Sequence, residues 1–233
     1  MRAANESHAQ SVKHNGEVTG HPILRASIYV IFLLAAIPTL AQSVTLVSGS
    51  QMLFSDPAFG VSFRFPSGWS FTRVAADSKG PSLAIAYMDG RSVSTGLRGL
   101  ITNETLPGLR SWPKTVFSSV EFGYDARPAA SAQACQKLAR DNWEVEADPV
   151  TLNGLTWWHG TATGAALSTE IEEDIYATFI EASGSCLRFD LAVATSQVPG
   201  KEIPRPLTTH ELALVHASLN NILNSVRITP LAR

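Results

Sequence analysis

The sequence predicts an α+β fold in which an antiparallel sheet carries packed helices. Three observations predict it. Short segments with alternating apolar residues are separated by turn residues, and two other segments place apolar residues at helical spacing. The composition is 45% hydrophobic, and the roughly 190 residues that follow an N-terminal targeting segment suit one domain with one core.

The N-terminal segment has the parts of a secretory signal. An apolar run at residues 28–37 follows Arg25 and leads to small residues. Cleavage after Ala41 would place Thr39 and Ala41 at the third and first positions before the cut and make Gln42 the new N-terminus. The alternative is an uncleaved membrane anchor, although the run is shorter than the roughly 20 residues that a membrane span needs. We therefore predict a secreted or periplasmic protein, with the membrane involved only if this segment stays uncleaved.

The predicted organisation has three parts. Residues 1–41 form the leader and signal, residues 42–50 form a small polar linker, and residues 51–229 form a single α/β domain. Removing residues 1–41 takes away three basic and two acidic residues. The remaining chain has 15 basic and 18 acidic residues and a net charge of −3. A nucleic-acid partner is excluded on this basis, because phosphate recognition requires a basic surface.

Extended segments with turns between them begin the domain. Apolar residues alternate over residues 61–65, a Pro-Ser-Gly turn follows at 66–68, and residues 82–88 predict a buried strand. Residues 91–113 predict a long loop with one short strand near 97–101.

The middle of the chain combines strands with one helix. Residues 116–124 alternate weakly and fit either a strand or a helix, whereas residues 128–140 have helical spacing after a proline suited to a first turn. Asn153-Gly154 is a tight-turn signal that leads into a strand at 155–163.

The last third predicts an antiparallel meander and a final helix. Strands at 169–182 and 186–195 join the strand at 155–163, and a proline-containing loop follows at 196–207. Thr208 and Glu211 form a capping box at the start of the helix. Its apolar stripe comprises Leu212, Val215, Leu219, Ile222 and Leu223, and residues 226–228 form a short closing strand.

Two cysteines are too few for a disulfide scaffold but can form one bridge in an oxidising compartment. Cys135 faces the core from the predicted helix, and Cys186 begins on the strand face that carries Arg188 and Asp190. A Cys135–Cys186 bridge therefore requires a helix packed on that face. The sequence leaves both the bridged and the unbridged state open.

Two stretches resemble PsbP-like domains. Residues 59–69, Phe-Gly-Val-Ser-Phe-Arg-Phe-Pro-Ser-Gly-Trp, are similar to the opening hairpin of that family, and residues 222–228 are similar to its close. The resemblance spans roughly residues 54–228. It implies an α/β/α sandwich and a family of binding or assembly subunits without a shared catalytic centre, and it carries no functional residue to a position in this chain.

The candidate ligand or partner surface lies around His159. Trp157 and Trp158 precede it, and a hairpin centred between residues 166 and 167 places it opposite Asp174, with Glu172 nearby. A histidine beside carboxylates can bind a metal or act as a general base. A cross-strand ion pair on a solvated face explains the pattern better, because a metal site needs three or four convergent ligands.

The sequence predicts a non-enzymatic binding or assembly protein of the cell envelope or extracellular space, with a protein partner there. It has no nucleophile elbow and no phosphate-binding glycine loop, and nothing in it calls for a cofactor. One alternative is a small-ligand carrier with an apolar pocket between sheet and helix. A further alternative is a metal-dependent hydrolase centred on His159.

Overall fold

The structure is a computed structural model that describes residues 41–73, 97–103, 115–139, 147–166, 169–196 and 204–229. Residues 1–40 of the predicted leader (residues 1–41) and the predicted strand at 82–88 lie outside these residues. The strands are β1 (Ser43–Ser48), β2 (Gln51–Asp56), β3 (Val61–Pro66), β4 (Ser70–Arg73), β5 (Leu97–Asn103), β6 (Phe117–Pro128), β7 (Asp148–Leu152), β8 (Leu155–Ala166), β9 (Thr169–Ile180), β10 (Ser185–Ser196) and β11 (Arg227–Ile228). The helices are α1 (Ala132–Ala139) and α2 (Thr209–Asn224).

The strands form two antiparallel sheets, so the domain is richer in sheet than the predicted α+β arrangement. The small sheet has the order β1-β2-β3-β11, and the large sheet has the order β4-β5-β6-β10-β9-β8-β7. The prediction of one sheet was wrong in this respect, whereas the predicted meander of β8, β9 and β10 is confirmed. Neither helix in the described ranges is long and apolar enough to cross a membrane.

The segment predicted as a linker, residues 42–50, instead contains β1. This strand pairs with β2 from Ser43 opposite Ser55 to Ser48 opposite Gln51. Most of its side chains are exposed, so main-chain pairing rather than burial holds it in place. The sequence pattern missed it because only Val44 and Leu46 alternate with polar residues there, which is too short a run to separate a strand from a linker.

The two faces of the large sheet differ in character. We call the side that packs on the small sheet and α2 the aromatic face. Its buried rings are Phe122, Tyr124, Trp157 and Phe189, which meet Phe54 and Phe63 of the small sheet. Phe54 and Phe63 stack with ring centroids 4.7 Å apart, and Tyr124 and Phe189 stack at 5.3 Å. The core of the domain lies between these two layers.

We call the opposite side, which packs on α1, the charged face. It carries small residues together with buried ionic side chains: Glu121, Asp125, Glu173, Arg188 and Asp190. The Arg188 Nε donates to Asp190 Oδ1 at 2.6 Å, and a second Arg188 nitrogen lies 3.7 Å from Glu173 Oε1. Arg127 pairs with Asp125 on the same face.

Helix α1 is shorter than predicted and is tied to the charged face. The predicted start at Pro128 was wrong because β6 pairs with β10 as far as Pro128. Ser131 Oγ then accepts the Ala134 amide at 3.2 Å and begins the helix. Cys135 and Cys186 form a disulfide with Cα atoms 5.3 Å apart, as the helix on this face allows. A β-carbon at Gly160 would lie 2.6 Å from the carbonyl oxygen of Ala139, so the helix end requires glycine there.

Helix α2 begins and ends as the sequence predicts. Thr208 Oγ1 accepts the Glu211 amide, and Glu211 accepts the Thr208 amide, which completes the predicted capping box. Four members of the predicted stripe are buried in the aromatic core, whereas Leu212 is only partly buried. The predicted closing strand is β11, which pairs with β3.

Candidate functional site

The two tryptophans of the predicted surface do not form an exposed patch. Trp157 is buried on the aromatic face, with its ring 5.6 Å from Phe189 and its Nε1 donating to the Leu152 carbonyl at 3.1 Å. Trp158 points to the charged face and packs, partly buried, against the small residues there. Because helices cover both faces of the large sheet, adjacent residues of β8 can both pack inside. The structure therefore assigns these tryptophans to packing.

His159 lies opposite Tyr176. The prediction that it lies opposite Asp174 was wrong. Strand β8 pairs with β9 from Trp158 opposite Ala177 to Ala166 opposite Thr169, so the register differs by two residues from the predicted one. A shift of two keeps every side chain on its face. His159 Nε2 therefore still reaches Asp174 Oδ1 diagonally at 2.9 Å, and its ring stacks on Tyr176 at 4.5 Å.

His216 of α2 joins this group. Its Nδ1 lies 3.9 Å from Asp174 Oδ2, and its Nε2 lies 3.9 Å from Glu172 Oε2. No local signal in the sequence connects His216 with β9. We call His159, Glu172, Asp174, Tyr176 and His216 the junction cluster, since it connects α2 with β8 and β9.

The junction cluster is a polar contact between helix and sheet. Burial and the neighbouring Asp174 carboxylate raise the pKa of Tyr176, which keeps this phenol neutral. His159 Nε2 is hydrogen-bonded to the Asp174 carboxylate, so this ring nitrogen is already engaged within the cluster. Within the described ranges, no group of three or more His, Cys, Asp and Glu side chains is arranged to hold a metal ion.

A groove of about 530 Å³ lies beside the junction cluster, between the start of α2 and the large sheet. Glu172 belongs to both features. The lining residues are Val116, Thr163, Gly164, Glu170, Ile171, Glu172, Val193, Thr195, Pro206, Leu207 and Leu212. Apolar side chains and two carboxylates therefore share one concave surface. No sequence motif indicates the groove, because its walls come from three strands, one helix and the segments that precede β6 and α2, which are distant in sequence.

An ion pair fixes the helical wall of the groove. Two guanidinium nitrogens of Arg205 donate to Glu211 at 2.6 and 2.7 Å, and Glu211 also receives the Thr208 amide at 2.8 Å. The hydrogen bonds from Arg205 have the largest effect and that from the Thr208 amide the next largest, and together they lower the pKa of Glu211 to about 2. On the other side, the Val116 amide donates to the Arg205 carbonyl at 2.9 Å, which ties the wall to the end of β6.

No protein-family model matches this chain, and no curated protein matches it. Seven chains of solved structures are similar to it. The solution structure of cyanobacterial PsbP (CyanoP) from Synechocystis sp. PCC 6803 is 14% identical, covers 80% of this chain and 98% of its own length, and has a TM-score of 0.44. A PsbP protein is therefore among the solved structures that are similar to this chain.

Two of the other structures are more distant in sequence. LpqN, described as involved in cell envelope biogenesis of Mycobacterium tuberculosis, is 10% identical over 82% of this chain and 91% of its own, with a TM-score of 0.39. A protein from Bacteroides thetaiotaomicron VPI-5482 is 10% identical over 73% of this chain and 45% of its own, with a TM-score of 0.36.

Proposed function

We propose that this chain is an exported, non-enzymatic binding protein that receives an extended segment of a protein partner in the groove beside α2. The observation that carries the proposal is the composition of the groove. Its volume of about 530 Å³ falls within the range of about 300–1,000 Å³ that is typical of ligand sites. Its walls offer both apolar contact and fixed charge.

Charge complementarity selects the kind of segment. Glu170 and Glu172 are the charged residues among the side chains that line the groove, and both are acidic. Val116, Leu207 and Leu212 supply the apolar walls. A segment that alternates lysine or arginine with aliphatic residues complements both features, since opposite charges across an interface select the partner and its register.

The disulfide supports the exported part of the proposal. Cys135 and Cys186 are bonded, and such bonds persist in oxidising compartments such as the periplasm and the extracellular space. The apolar run and small residues before Gln42 predict the same destination.

Two labelled hexapeptides test the proposal, one alternating leucine with lysine and the other alternating leucine with glutamate. We expect the lysine peptide to bind more tightly in a fluorescence anisotropy titration, with a preference that weakens as salt is added. In the Glu170→Gln/Glu172→Gln variant, the preference should fall by about tenfold, because each carboxylate contributes to attraction across the interface. Thr195→Trp, which fills the groove, should weaken both peptides.

Glu181→Gln is the matched control. Glu181 is an exposed carboxylate in the turn between β9 and β10 and does not line the groove. The proposal is wrong if the two peptides bind equally, or if Glu181→Gln reduces the preference as much as the double variant does. Unchanged melting temperatures of all variants would show that the differences concern binding.

A small-ligand carrier is the second candidate, and the position of the groove between a helix and a sheet favours it. Native mass spectrometry of the protein taken from its own host distinguishes the two candidates. A stoichiometric protein partner supports the first candidate. A bound small molecule that is lost in the Thr195→Trp variant supports the second.

A further inference from the structure

We infer that β1 is a self-association edge, through which two copies of this chain pair in an antiparallel manner and extend the small sheet. The inference is independent of the groove. It starts from the position of β1 at the end of the order β1-β2-β3-β11, where β2 is its hydrogen-bonded neighbour. Among the described strands, none pairs with its outer edge, so that edge presents a row of main-chain donors and acceptors.

Exposed apolar side chains concentrate on this strand. Leu46 is 63% exposed and Val47 is 47% exposed, and the other large exposed apolar residue in the described ranges is Leu214 of α2. Val47 lies at a register shift, where the pairing of β1 with β2 passes from Leu46 to Ser48. The strand therefore exposes apolar surface along its edge at both residues.

Charge and proline, two of the usual protections of an edge strand, are missing from β1, although the strand has a register shift at Val47. Proteins block such edges with lysine, proline or other charged residues. Residues 26–55 contain no charged side chain, and β1 contains no proline. Two copies of one chain carry identical charges, so an uncharged edge is the kind of surface on which a second copy meets no electrostatic repulsion.

The sequence of β1 is self-complementary. A two-fold axis perpendicular to the sheet keeps each face on the same side, so paired residues must have side chains on the same face. An axis at Thr45 pairs Thr45 with its own copy and Val44 with Leu46. Such threonine pairs and aliphatic pairs stabilise antiparallel strands. Val44 already packs at the edge of the aromatic core, so Leu46 of the second copy would extend that core.

The interface is short, so we expect weak association that increases with protein concentration. Sedimentation velocity over a concentration series tests this association. The protein is used in the form in which the expression host produces it, and mass spectrometry determines where its N-terminus lies. The expected result is a monomer–dimer equilibrium. Leu46→Lys should raise the dissociation constant by at least about tenfold, because it places two like charges beside the axis.

Leu214→Lys is the matched control, since it removes the third exposed apolar residue from a different surface and should leave the equilibrium unchanged. Thr45→Cys adds a geometric test. Two such cysteines at the axis should oxidise to a covalent dimer, whereas Ser67→Cys in an exposed turn should not. A chain that stays monomeric at every concentration overturns the inference, and so does a dimer that Leu46→Lys leaves intact.

Discussion

The two faces of the large sheet are equally buried, yet different forces hold them. Strand β10 shows the contrast within a few residues. Leu187, Phe189 and Leu191 point to the aromatic face, and Arg188 and Asp190 point to the charged face. Arg188 and Asp190 are only 2% and 3% exposed, so the charged face is as closed to water as the aromatic one.

The charged face depends on individual partners, whereas the aromatic face does not. Apolar burial is non-directional, so the aromatic face is stabilised by the sum of many similar contacts. A buried charge is stable only while its partners stay in place. The charged face accordingly has a covalent tether, the Cys135–Cys186 bond, which keeps a helix of eight residues over it.

Removing the buried guanidinium should break the charged face. Arg188→Met should lower the free energy of unfolding by about 3–5 kcal/mol, because Asp190 and Glu173 lose a buried partner. On the aromatic face, Phe189→Leu should cost less than about 1.5 kcal/mol, since it keeps an apolar side chain of similar bulk. Urea denaturation measures both changes.

A second variant separates loss of an ionic partner from loss of volume. Arg188→Met/Asp190→Leu should recover part of the stability that Arg188→Met loses, because one of the two charges left behind is also removed. If the double variant is less stable than the single one, or if Arg188→Met costs no more than Phe189→Leu, the contrast between the faces is wrong.

Removing the tether should weaken the charged face selectively. The Cys135→Ser/Cys186→Ser variant should lose about 2–4 kcal/mol, as expected for a bond that closes a loop across a sequence separation of 51 residues. Hydrogen exchange should increase first in α1, while α2 keeps the protection of the intact chain. Equal acceleration in both helices would show that the bond stabilises the whole domain and has no particular role on one face.

The smallest expected effect comes from the ion pair of Arg205 with Glu211, at the start of α2. Hydrogen bonds lower the pKa of Glu211 from 4.5 to about 2. Because the folded pKa is the lower one, this contribution to stability is present above pH 4.5 and is lost as the pH falls from 4.5 towards 2. Glu211→Gln should therefore lower the melting temperature at pH 7, and the difference from the unaltered protein should disappear over that range.

Glu181→Gln, at an exposed turn, is the control for the acid titration. A Glu211→Gln difference that persists unchanged at pH 2 would show that the side chain acts through packing and not through its charge. A difference that grows on acidification would contradict the direction of the pKa shift.

Features set by neighbouring residues could be predicted from the sequence. The capping box of Thr208 and Glu211 spans three positions, and the turn at Asn153-Gly154 requires the positive φ angles of 53° and 78° that these residues adopt readily. Features set by distant pairing could not. Strand β6, for example, extends to Pro128 because β10 pairs with it there.

The candidate site shows the same division. The contact of His159 with Asp174 could be predicted because both lie on one hairpin, and a register error of two residues leaves them on the same face. The approach of His216 could not, because it depends on where α2 docks on the sheet. The groove depends on that docking as well as on the ends of three strands, which no local pattern encodes.

The pairing of β11 with β3 has a consequence for how the chain reaches its folded state. Residues 227–228 complete a sheet that begins near residue 43, and α2 supplies one wall of the aromatic core just before them. The core therefore cannot close until residues 227–228 have been synthesised, and such non-local pairing is slow. If the protein is exported as proposed above, this delay keeps the chain unfolded while it passes through a translocation channel. Folding then takes place after export.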